Sequence, residues 1–236
     1  MLVGFVAGGR AFEAEAFLFD KDGTLVLFDH WPLVMVERAR RLRERLGLSA
    51  REERRLLELM QGIISLPRGE AEVQVAEHLG RLGVSRPLGL VREVFGKVDR
   101  EFPFEKHMKP APGAEGLLAA VKGAGGRTGI VTGDSAAATR RNLAALGWEA
   151  WVDVVVGTDT CPTPKPSPEP VLQALDLLGL PPERAVMFGD SPADLAAARG
   201  AGCPAIGVLT GLGRPEELLP LADALVPDLS AIRLSE

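Results

Sequence analysis

Apolar residues recur at two different spacings along this chain, and the change of spacing divides it into two kinds of segment. Between residues 30 and 105 they return every three or four positions, which is the period of amphipathic helices. Glycine and proline interrupt this period at Gly47, at Pro67-Arg68-Gly69 and between Gly83 and Pro87. The four resulting stretches run from Met35 to Leu46, Leu56 to Ile63, Val75 to Leu82 and Leu88 to Phe102. Because none of them has a strand pattern, they predict a separate bundle of four helices.

The rest of the chain alternates short apolar runs with helices rich in alanine and leucine. The predicted strands are 16–19, 128–132, 152–156, 185–188, 205–208 and 224–226, and the predicted helices 113–122, 135–146, 168–178 and 192–201. Such alternation indicates a parallel sheet covered on both faces. We therefore predict an α/β fold, a doubly wound parallel sheet of Rossmann-like type with an inserted all-helical, four-helix cap. The predicted core is 1–28 with 106–236, and the predicted cap is 29–105.

Composition excludes several classes of protein. Hydrophobic residues make up 46% of the 236 positions, enough for a substantial core. No apolar run approaches the roughly 20 residues that cross a bilayer, so no membrane partner is expected. A net charge of −5 argues against a nucleic-acid partner. Two cysteines, Cys161 and Cys203, provide no disulfide framework, and the start of the chain lacks the basic residues of a signal peptide, so a cytoplasmic location is expected.

Two aspartates stand at the end of the first predicted strand, in the run Asp20-Lys21-Asp22-Gly23-Thr24. Like charges this close raise each other's pKa unless a cation or a basic group offsets them. A calcium loop would need glycine at its sixth position, whereas here glycine is the fourth residue. Strand, acid pair, glycine and hydroxyl together favour a nucleophile site that handles phosphate. Taken alone, the motif also fits an ordinary acidic turn.

Polar residues follow other predicted strands, at the end where ligands bind to an open parallel sheet. Thr132 and Gly133 offer a hydroxyl and an amide at the start of a helix, a place that favours phosphate. Lys165 lies in a proline-rich stretch, and Asp190 and Asp194 flank another helix start. Each alone fits a helix cap or a surface charge. Their recurrence at corresponding strand ends favours one shared site.

These motifs resemble those of the haloacid dehalogenase superfamily, on its phosphatase branch with a helical cap. In order they are Asp20-Lys21-Asp22-Gly23-Thr24, Ile130-Val131-Thr132, Lys165-Pro166 and Gly189-Asp190 to Asp194. They span residues 15–200, and the helical insertion lies between the first two, where this branch carries its cap. The stretch Gly157-Thr158-Asp159-Thr160, which leads to Lys165-Pro166-Ser167-Pro168-Glu169-Pro170, is similar to the corresponding stretch of phosphoglycolate phosphatases. Gly133 departs from the asparagine of many relatives, and Lys21, at a position that varies in the phosphatases, is assigned no role.

The resemblance implies a Mg²⁺-dependent phosphomonoester hydrolase that acts on a small phosphorylated metabolite, phosphoglycolate-like or a sugar phosphate. Asp20 would attack phosphorus and form an aspartyl-phosphate, and Asp22 would act as general acid and then as general base. Thr132 and Lys165 would hold the transferring phosphoryl group, together with the amide of Gly133.

The resemblance also implies a metal site. The expected Mg²⁺ ligands are the Asp20 carboxylate, the backbone carbonyl of Asp22 and the Asp190 carboxylate. Asp194 is expected to orient the phosphate-binding lysine or a metal-bound water. Arg68, at a break between cap helices, is the candidate for binding a substrate carboxylate or phosphate, since arginine binds such groups through two bonds. The alternative for Arg68 is one exposed arginine among many.

Two other functions stay open on the motifs. Relatives that cleave carbon–halogen bonds lack an acid at the Asp22 position because halide needs no proton, so Asp22 favours oxygen leaving groups. Phosphomutases of the superfamily retain both acids but commonly differ at the Thr24 position. A phosphoacceptor signalling module is a remote alternative, since such modules are much shorter and have no helical insertion. The oligomeric expectation is a monomer or a homodimer.

Overall fold

The computed structural model describes residues 1–64, 66 and 68–235, except for the side chain of Glu105. Pro67, part of one predicted break between helices, lies outside the described residues. The chain forms two compact units, Met1–Phe28 with Met108–Glu236 and Asp29–His107. The larger unit is therefore built from two chain segments, with the smaller one inserted between them.

The strands of the larger unit form two sheets. In chain order they are β1 (Val3–Ala7), β2 (Arg10–Ala14), β3 (Ala16–Phe19), β4 (Arg127–Val131), β5 (Val154–Val156), β6 (Ala185–Gly189), β7 (Ala205–Val208), β8 (Ala224–Val226) and β9 (Arg233–Leu234). The central sheet has six strands in the order β5-β4-β3-β6-β7-β8, and each neighbouring pair is parallel. The predicted α/β fold with a parallel sheet is confirmed. β3 lies in the middle of this sheet, between β4 and β6.

Helices connect these strands and form the smaller unit. They are α1 (Trp31–Leu46), α2 (Ala50–Gly62), α3 (Arg68–Arg81), α4 (Pro87–Glu101), α5 (Phe104–His107), α6 (Ala114–Gly123), α7 (Ala136–Leu146), α8 (Glu169–Leu178), α9 (Pro192–Ala201) and α10 (Pro215–Leu218). Helices α8 and α9 share an apolar cluster with the central sheet, which includes Leu18, Val131, Val171, Met187 and Leu195. Among the described residues, no helix is both long and apolar enough to span a bilayer.

The smaller unit, Asp29–His107, has an apolar core of its own. Residues of α1 to α4 form it, among them Leu42, Leu56, Leu79, Val91 and Phe95. Most of the residues at helical spacing in the sequence face inward, because one stripe of each amphipathic helix must be removed from water. Leu82, at the end of the third stretch, is an exception and is 41% exposed. Helix α2 begins with a reciprocal capping pair between Ser49 and Glu52, which satisfies amides that the first turn leaves unpaired.

A second, antiparallel sheet of order β2-β1-β9 was not predicted. Its hairpin joins β1 to β2 through Gly8 and Gly9, whose φ angles are 54° and 76°. Two consecutive residues with positive φ form the tight turn that suits a hairpin, and Gly-Gly between two short apolar runs is a recognised signal for it.

Phe5 joins this second sheet to the central one. Its side chain is fully buried, and its ring centroid lies 5.2 Å from that of Phe17 and 6.0 Å from that of Phe188. Phe12, on β2, stacks on the same ring at 5.3 Å. Since Phe17 belongs to β3 and Phe188 to β6, the hairpin packs against the two strands that precede the first and last motifs.

Replacing Phe5 should therefore destabilise the whole larger unit. We expect Phe5→Ala to lower the free energy of unfolding by about 3–5 kcal/mol, because it leaves a cavity between two sheets. Val6→Ala is the matched control, since Val6 is on the same strand but 38% exposed, and it should cost about 1 kcal/mol or less. Chemical denaturation measures both variants. Equal losses for the two would contradict this packing.

Candidate active site

The motif residues emerge at one edge of the central sheet. Strand β3 pairs in parallel with both β4 and β6, which brings the carboxyl ends of the three strands together. Asp20 follows β3, Thr132 follows β4 and Asp190 follows β6, and all three side chains are buried. The structure therefore collects residues from three separate motifs at the place where parallel sheets bind ligands.

Three carboxylates and one ammonium form the centre of this site. Oxygens of Asp20, Asp190 and Asp194 lie within 4.8 Å of one another. The Nζ of Lys165 donates to Asp20 Oδ1 at 2.7 Å, to Asp194 Oδ1 at 2.5 Å and to the backbone carbonyl of Val131 at 2.8 Å. The predicted lysine thus bonds directly to the predicted nucleophile, and Asp194 contacts the lysine that it was expected to orient.

The carboxylates of this cluster are difficult to ionise together. Burial raises the pKa of Asp20 well above its usual value; Lys165 opposes this rise, while Asp194 and Asp190 add to it. Burial, and then the charge of Asp194, raises the pKa of Asp190 to about 7. Burial alone would lower the pKa of Lys165, but the charges of Asp194 and Asp20 outweigh it, so the pKa is raised and the lysine stays charged.

This charge balance fits a divalent cation. Three carboxylates face one ammonium, so the ionised cluster carries an excess of negative charge in a buried place. Carboxylate oxygens are the ligands that hard divalent cations prefer, and such a cation would offset the excess. Asp20 and Asp190 are two of the three residues predicted as metal ligands.

A loop after β7, Thr210 to Gly213, encloses Asp190, and its involvement was not predicted from the sequence. The Leu212 amide donates to Asp190 Oδ2 at 2.9 Å, and the Gly213 amide donates to the Asp190 carbonyl at 3.1 Å. A Cβ on Gly211 would lie 1.8 Å from Asp190 Oδ2, so only glycine fits there. The loop follows the carboxyl end of β7, and the rule that ligands bind beyond strand ends could have found it.

The same loop also holds the first motif. The Thr210 hydroxyl donates to the Gly23 carbonyl at 2.6 Å, and the Thr24 hydroxyl lies 3.4 Å from Asp190 Oδ1. Gly23 has a φ of 93°, and a Cβ at this position would lie 2.6 Å from the Asp190 carboxyl carbon. Backbone conformation and close approach both require glycine here.

The side chain of Asp22 has a different environment from that of Asp20. Its Oδ2 lies 2.7 Å from the Nζ of Lys21, which also lies 2.9 Å from Asp134 Oδ2. The Lys21 side chain is only 2% exposed. Burial would lower the pKa of Lys21, but the charges of Asp134 and Asp22 outweigh burial and raise it, so the ammonium stays charged. Lys21, which the sequence left without a role, therefore has one in the structure as a buried ion pair.

At the predicted phosphate site after β4, the helix start was expected to offer free backbone amides, and the structure differs from this expectation. The first amides of α7 are already bonded, because Ala136 and Ala137 donate to the Asp159 carboxylate at 2.6 and 3.2 Å. Thr132 Oγ1 accepts from the Asp134 amide at 3.1 Å, and a Cβ on Gly133 would meet open space. If phosphate binds here as predicted, the turn at Thr132 and Gly133 is the part of the chain that would bind it, because the start of α7 is capped by the chain itself.

Arg68 lies in the smaller unit and is paired there. Its guanidinium binds Glu72 Oε1 at 2.5 Å and Asp99 Oδ2 at 2.6 Å, and lies 5.3 Å from the centre of the Phe95 ring. Arg38 binds the same Asp99 at 2.7 Å. The side chain is half-buried and links α3 to α4, unlike the exposed arginine of the alternative interpretation. Its predicted role in substrate binding stays a prediction.

Comparison with known proteins identifies the family. A model of the haloacid dehalogenase-like hydrolases matches residues 14–202. The chain belongs to this family. The resemblance inferred from the motifs is confirmed, and the match covers both the motifs and the helical insertion.

Relatives in this family indicate which kind of hydrolase the chain is. The phosphoglycolate phosphatase of Neisseria meningitidis is 32% identical over 228 residues, which cover 91% of this chain and 88% of that protein. That of Xylella fastidiosa (strain Temecula1) is 34% identical over 221 residues, 92% of this chain and 90% of that protein. CbbY of Rhodobacter sphaeroides, solved with phosphate, has 27% identity and a TM-score of 0.66, with 92% of this chain and 95% of that chain covered. This haloacid dehalogenase-like hydrolase is a phosphatase.

The loop from Thr210 to Gly213 provides a test of the site. In this hydrolase, Gly211→Ala should push the Asp190 carboxylate aside and lower kcat/KM for p-nitrophenyl phosphate about 100-fold, the usual effect of a shift near 1 Å at an active site. Gly116→Ala, in open space on α6, is the control; it should leave the rate unchanged and raise the stability by up to about 1 kcal/mol, because alanine favours a helix more than glycine does. Steady-state kinetics and melting temperatures of both variants provide the comparison. Full activity in Gly211→Ala would contradict the enclosure of Asp190.

Proposed function

We propose that the protein is a Mg²⁺-dependent phosphomonoester hydrolase of small phosphorylated metabolites, with phosphoglycolate as the first candidate and sugar phosphates as the second. The observation that carries this proposal is the contact of Lys165 with Asp20 inside a cluster of three buried carboxylates. Relatives that match nine-tenths of the chain are phosphoglycolate phosphatases, which supports the choice of substrate.

Asp20 acts as the nucleophile. Its carboxylate attacks phosphorus and forms an aspartyl-phosphate, while the bond from phosphorus to the alkoxide oxygen breaks. Asp22 donates a proton to this leaving oxygen, then removes a proton from a water that attacks the same phosphorus. In this second step the bond between phosphorus and the Asp20 oxygen breaks, which releases inorganic phosphate and regenerates the Asp20 carboxylate.

Positive and polar groups of the chain bind the phosphoryl oxygens. The Nζ of Lys165 lies 2.7 Å from Asp20 Oδ1. Its positive charge is therefore close to the phosphoryl oxygens on which negative charge develops during the transfer. The hydroxyl of Thr132 and the backbone of Gly133 complete the binding site from the next strand. Arg68 stays the predicted contact for a second anionic group of the substrate.

Mg²⁺ would be held by the carboxylates of Asp20 and Asp190 and by the Asp22 backbone carbonyl, and it would neutralise charge on the phosphoryl group. The buried carboxylate cluster supports this choice of place. Asp194, bonded to Lys165 at 2.5 Å, orients the lysine. The cytoplasmic location and the monomeric or homodimeric state stay predictions.

The nucleophile is tested by Asp20→Asn, which keeps the shape of the side chain. Phosphate release should fall at least about 1,000-fold, because the amide cannot form the intermediate. The panel is 2-phosphoglycolate, glucose 6-phosphate, pyrophosphate and p-nitrophenyl phosphate. Asp176→Asn, at an exposed position on α8, is the matched control and should keep full activity. Near wild-type turnover in Asp20→Asn would refute the mechanism, and a wild type that releases no phosphate from any of these four compounds would favour the phosphomutase.

Metal binding is tested without catalysis, by melting temperature. The folded-state pKa of Asp190, raised to about 7, lies above its unfolded value, so the metal-free protein loses stability as pH rises towards 7. Mg²⁺ should offset this loss, and at 100 times its Kd it should add about 2.7 kcal/mol. The increase in Tm should be larger at pH 8 than at pH 5.5, where protons compete with the metal.

Asp190→Asn supplies the control for that measurement. It removes one charge from the cluster, and the increase in Tm caused by Mg²⁺ should largely disappear. EDTA should reverse the increase in the wild type. An equal increase in both proteins would place Mg²⁺ elsewhere.

A further inference from the structure

Lys21 is a buried charge that the proposed reaction does not use. Its side chain is 2% exposed, and its Nζ lies 2.7 Å from Asp22 Oδ2 and 2.9 Å from Asp134 Oδ2. The side chains of Asp22 and Asp134 are 13% and 20% exposed, so the two carboxylates reach solvent in part whereas the lysine does not. The lysine thus joins the predicted general acid to Asp134, two residues beyond the motif that ends at Thr132.

Both ends of this connection are held by backbone contacts. The Lys21 carbonyl accepts from the amides of Leu25 and Val26, at 2.9 Å each. The Asp134 amide donates to Thr132 Oγ1 at 3.1 Å, and the Asp134 carbonyl accepts from the Thr158 amide at 2.9 Å. The ammonium therefore bridges two fixed turns, one that carries Asp22 and one that carries the phosphate-binding Thr132.

Stability alone is a poor explanation for a lysine in this place. A buried ion pair gains little over a well-packed apolar side chain of the same volume, because desolvation opposes the attraction of the charges. What the ion pair does supply is direction, since an ammonium at 2.7 Å restricts the rotation of the carboxylate that it binds.

We propose that Lys21 is a positioning residue, which fixes the Asp22 carboxylate relative to the turn formed by Thr132, Gly133 and Asp134. In this arrangement the general acid meets the leaving oxygen of a phosphate that the turn holds. The inference rests on the proposed role of Asp22 and adds to it the group that orients this side chain.

The test compares leaving groups. An alkoxide must be protonated as it departs, whereas p-nitrophenolate needs little protonation, so loss of acid catalysis affects alkyl phosphates selectively. The value of kcat/KM includes only steps up to departure of the leaving group and therefore isolates the acid role. Lys21→Met, which keeps the length of the side chain, should lower kcat/KM for the best alkyl phosphate of the panel at least about tenfold more than for p-nitrophenyl phosphate.

Two further variants make the result specific. Asp22→Asn should show the same selectivity, and if it does not, the acid role fails and the proposed function with it. Lys122→Met removes another lysine that binds a carboxylate, Asp153 at 2.8 and 2.9 Å, and should leave the ratio of the two rates unchanged. In another outcome, Asp22→Asn shows the selective loss of kcat/KM for the alkyl phosphate while Lys21→Met lowers both values equally or neither. That result overturns the positioning role of Lys21 and leaves the acid role of Asp22 intact.

A fourth variant covers the case in which Lys21→Met does not fold. Asp134→Asn keeps a hydrogen-bond acceptor for the lysine but removes the second charge. It should lower the ratio of kcat/KM for the alkyl phosphate to that for p-nitrophenyl phosphate, by a smaller factor than Lys21→Met. Its melting temperature should be close to that of the wild type. An unchanged ratio in folded Asp134→Asn would then overturn the proposal.

Discussion

The burial of three carboxylates beside a single ammonium is the constraint on which the rest of the site depends. Asp20, Asp190 and Asp194 could not share this place as ionised groups without Lys165 and a further source of positive charge. Neighbouring parts of the structure serve this arrangement. Backbone amides after β7 bind Asp190, and the capping bonds of α9 hold Asp194, whose second oxygen accepts from the Ser191 amide and hydroxyl.

The parallel sheet explains why this cluster can form at all. Residues far apart in the sequence leave the sheet at the same edge because β3 pairs on one side with β4 and on the other with β6. An apolar run followed by a polar residue is visible in the sequence, and the rule for ligands at strand ends then predicts which side chains meet. This rule predicts one site for Asp20, Thr132 and Asp190 from the sequence alone. Lys165 lies in a loop well beyond β5, and the structure brings its Nζ to 2.7 Å from Asp20 Oδ1.

The sequence did not reveal which charged side chains pair with each other, because the type of a residue does not determine its partner. Lys21 looks like any variable polar residue, and its burial depends on Asp134, which comes from another strand end. Arg68 fits an anion site as well as an internal ion pair, and only the proximity of Glu72 and Asp99 decides its contacts. The N-terminal hairpin differs from these cases, since Gly8-Gly9 was a readable local signal.

The two aspartates of the first motif each pair with a lysine, and the difference between these pairs fits the separate tasks that the proposed mechanism gives them. Asp20 shares Lys165 with Asp194, and burial raises the pKa of Asp20 despite that lysine. A protonated carboxyl is a poor nucleophile, so Asp20 has to be ionised for the attack in the proposed mechanism. A divalent cation held by Asp20 and Asp190 would supply a second positive charge near the cluster, and this charge would lower the pKa that burial raises. Asp22 has its own ammonium in Lys21, so its orientation does not depend on the metal. On the proposed mechanism the Asp22 carboxylate can therefore be oriented before the cation and the substrate bind, and it acts as the acid once it has taken up a proton.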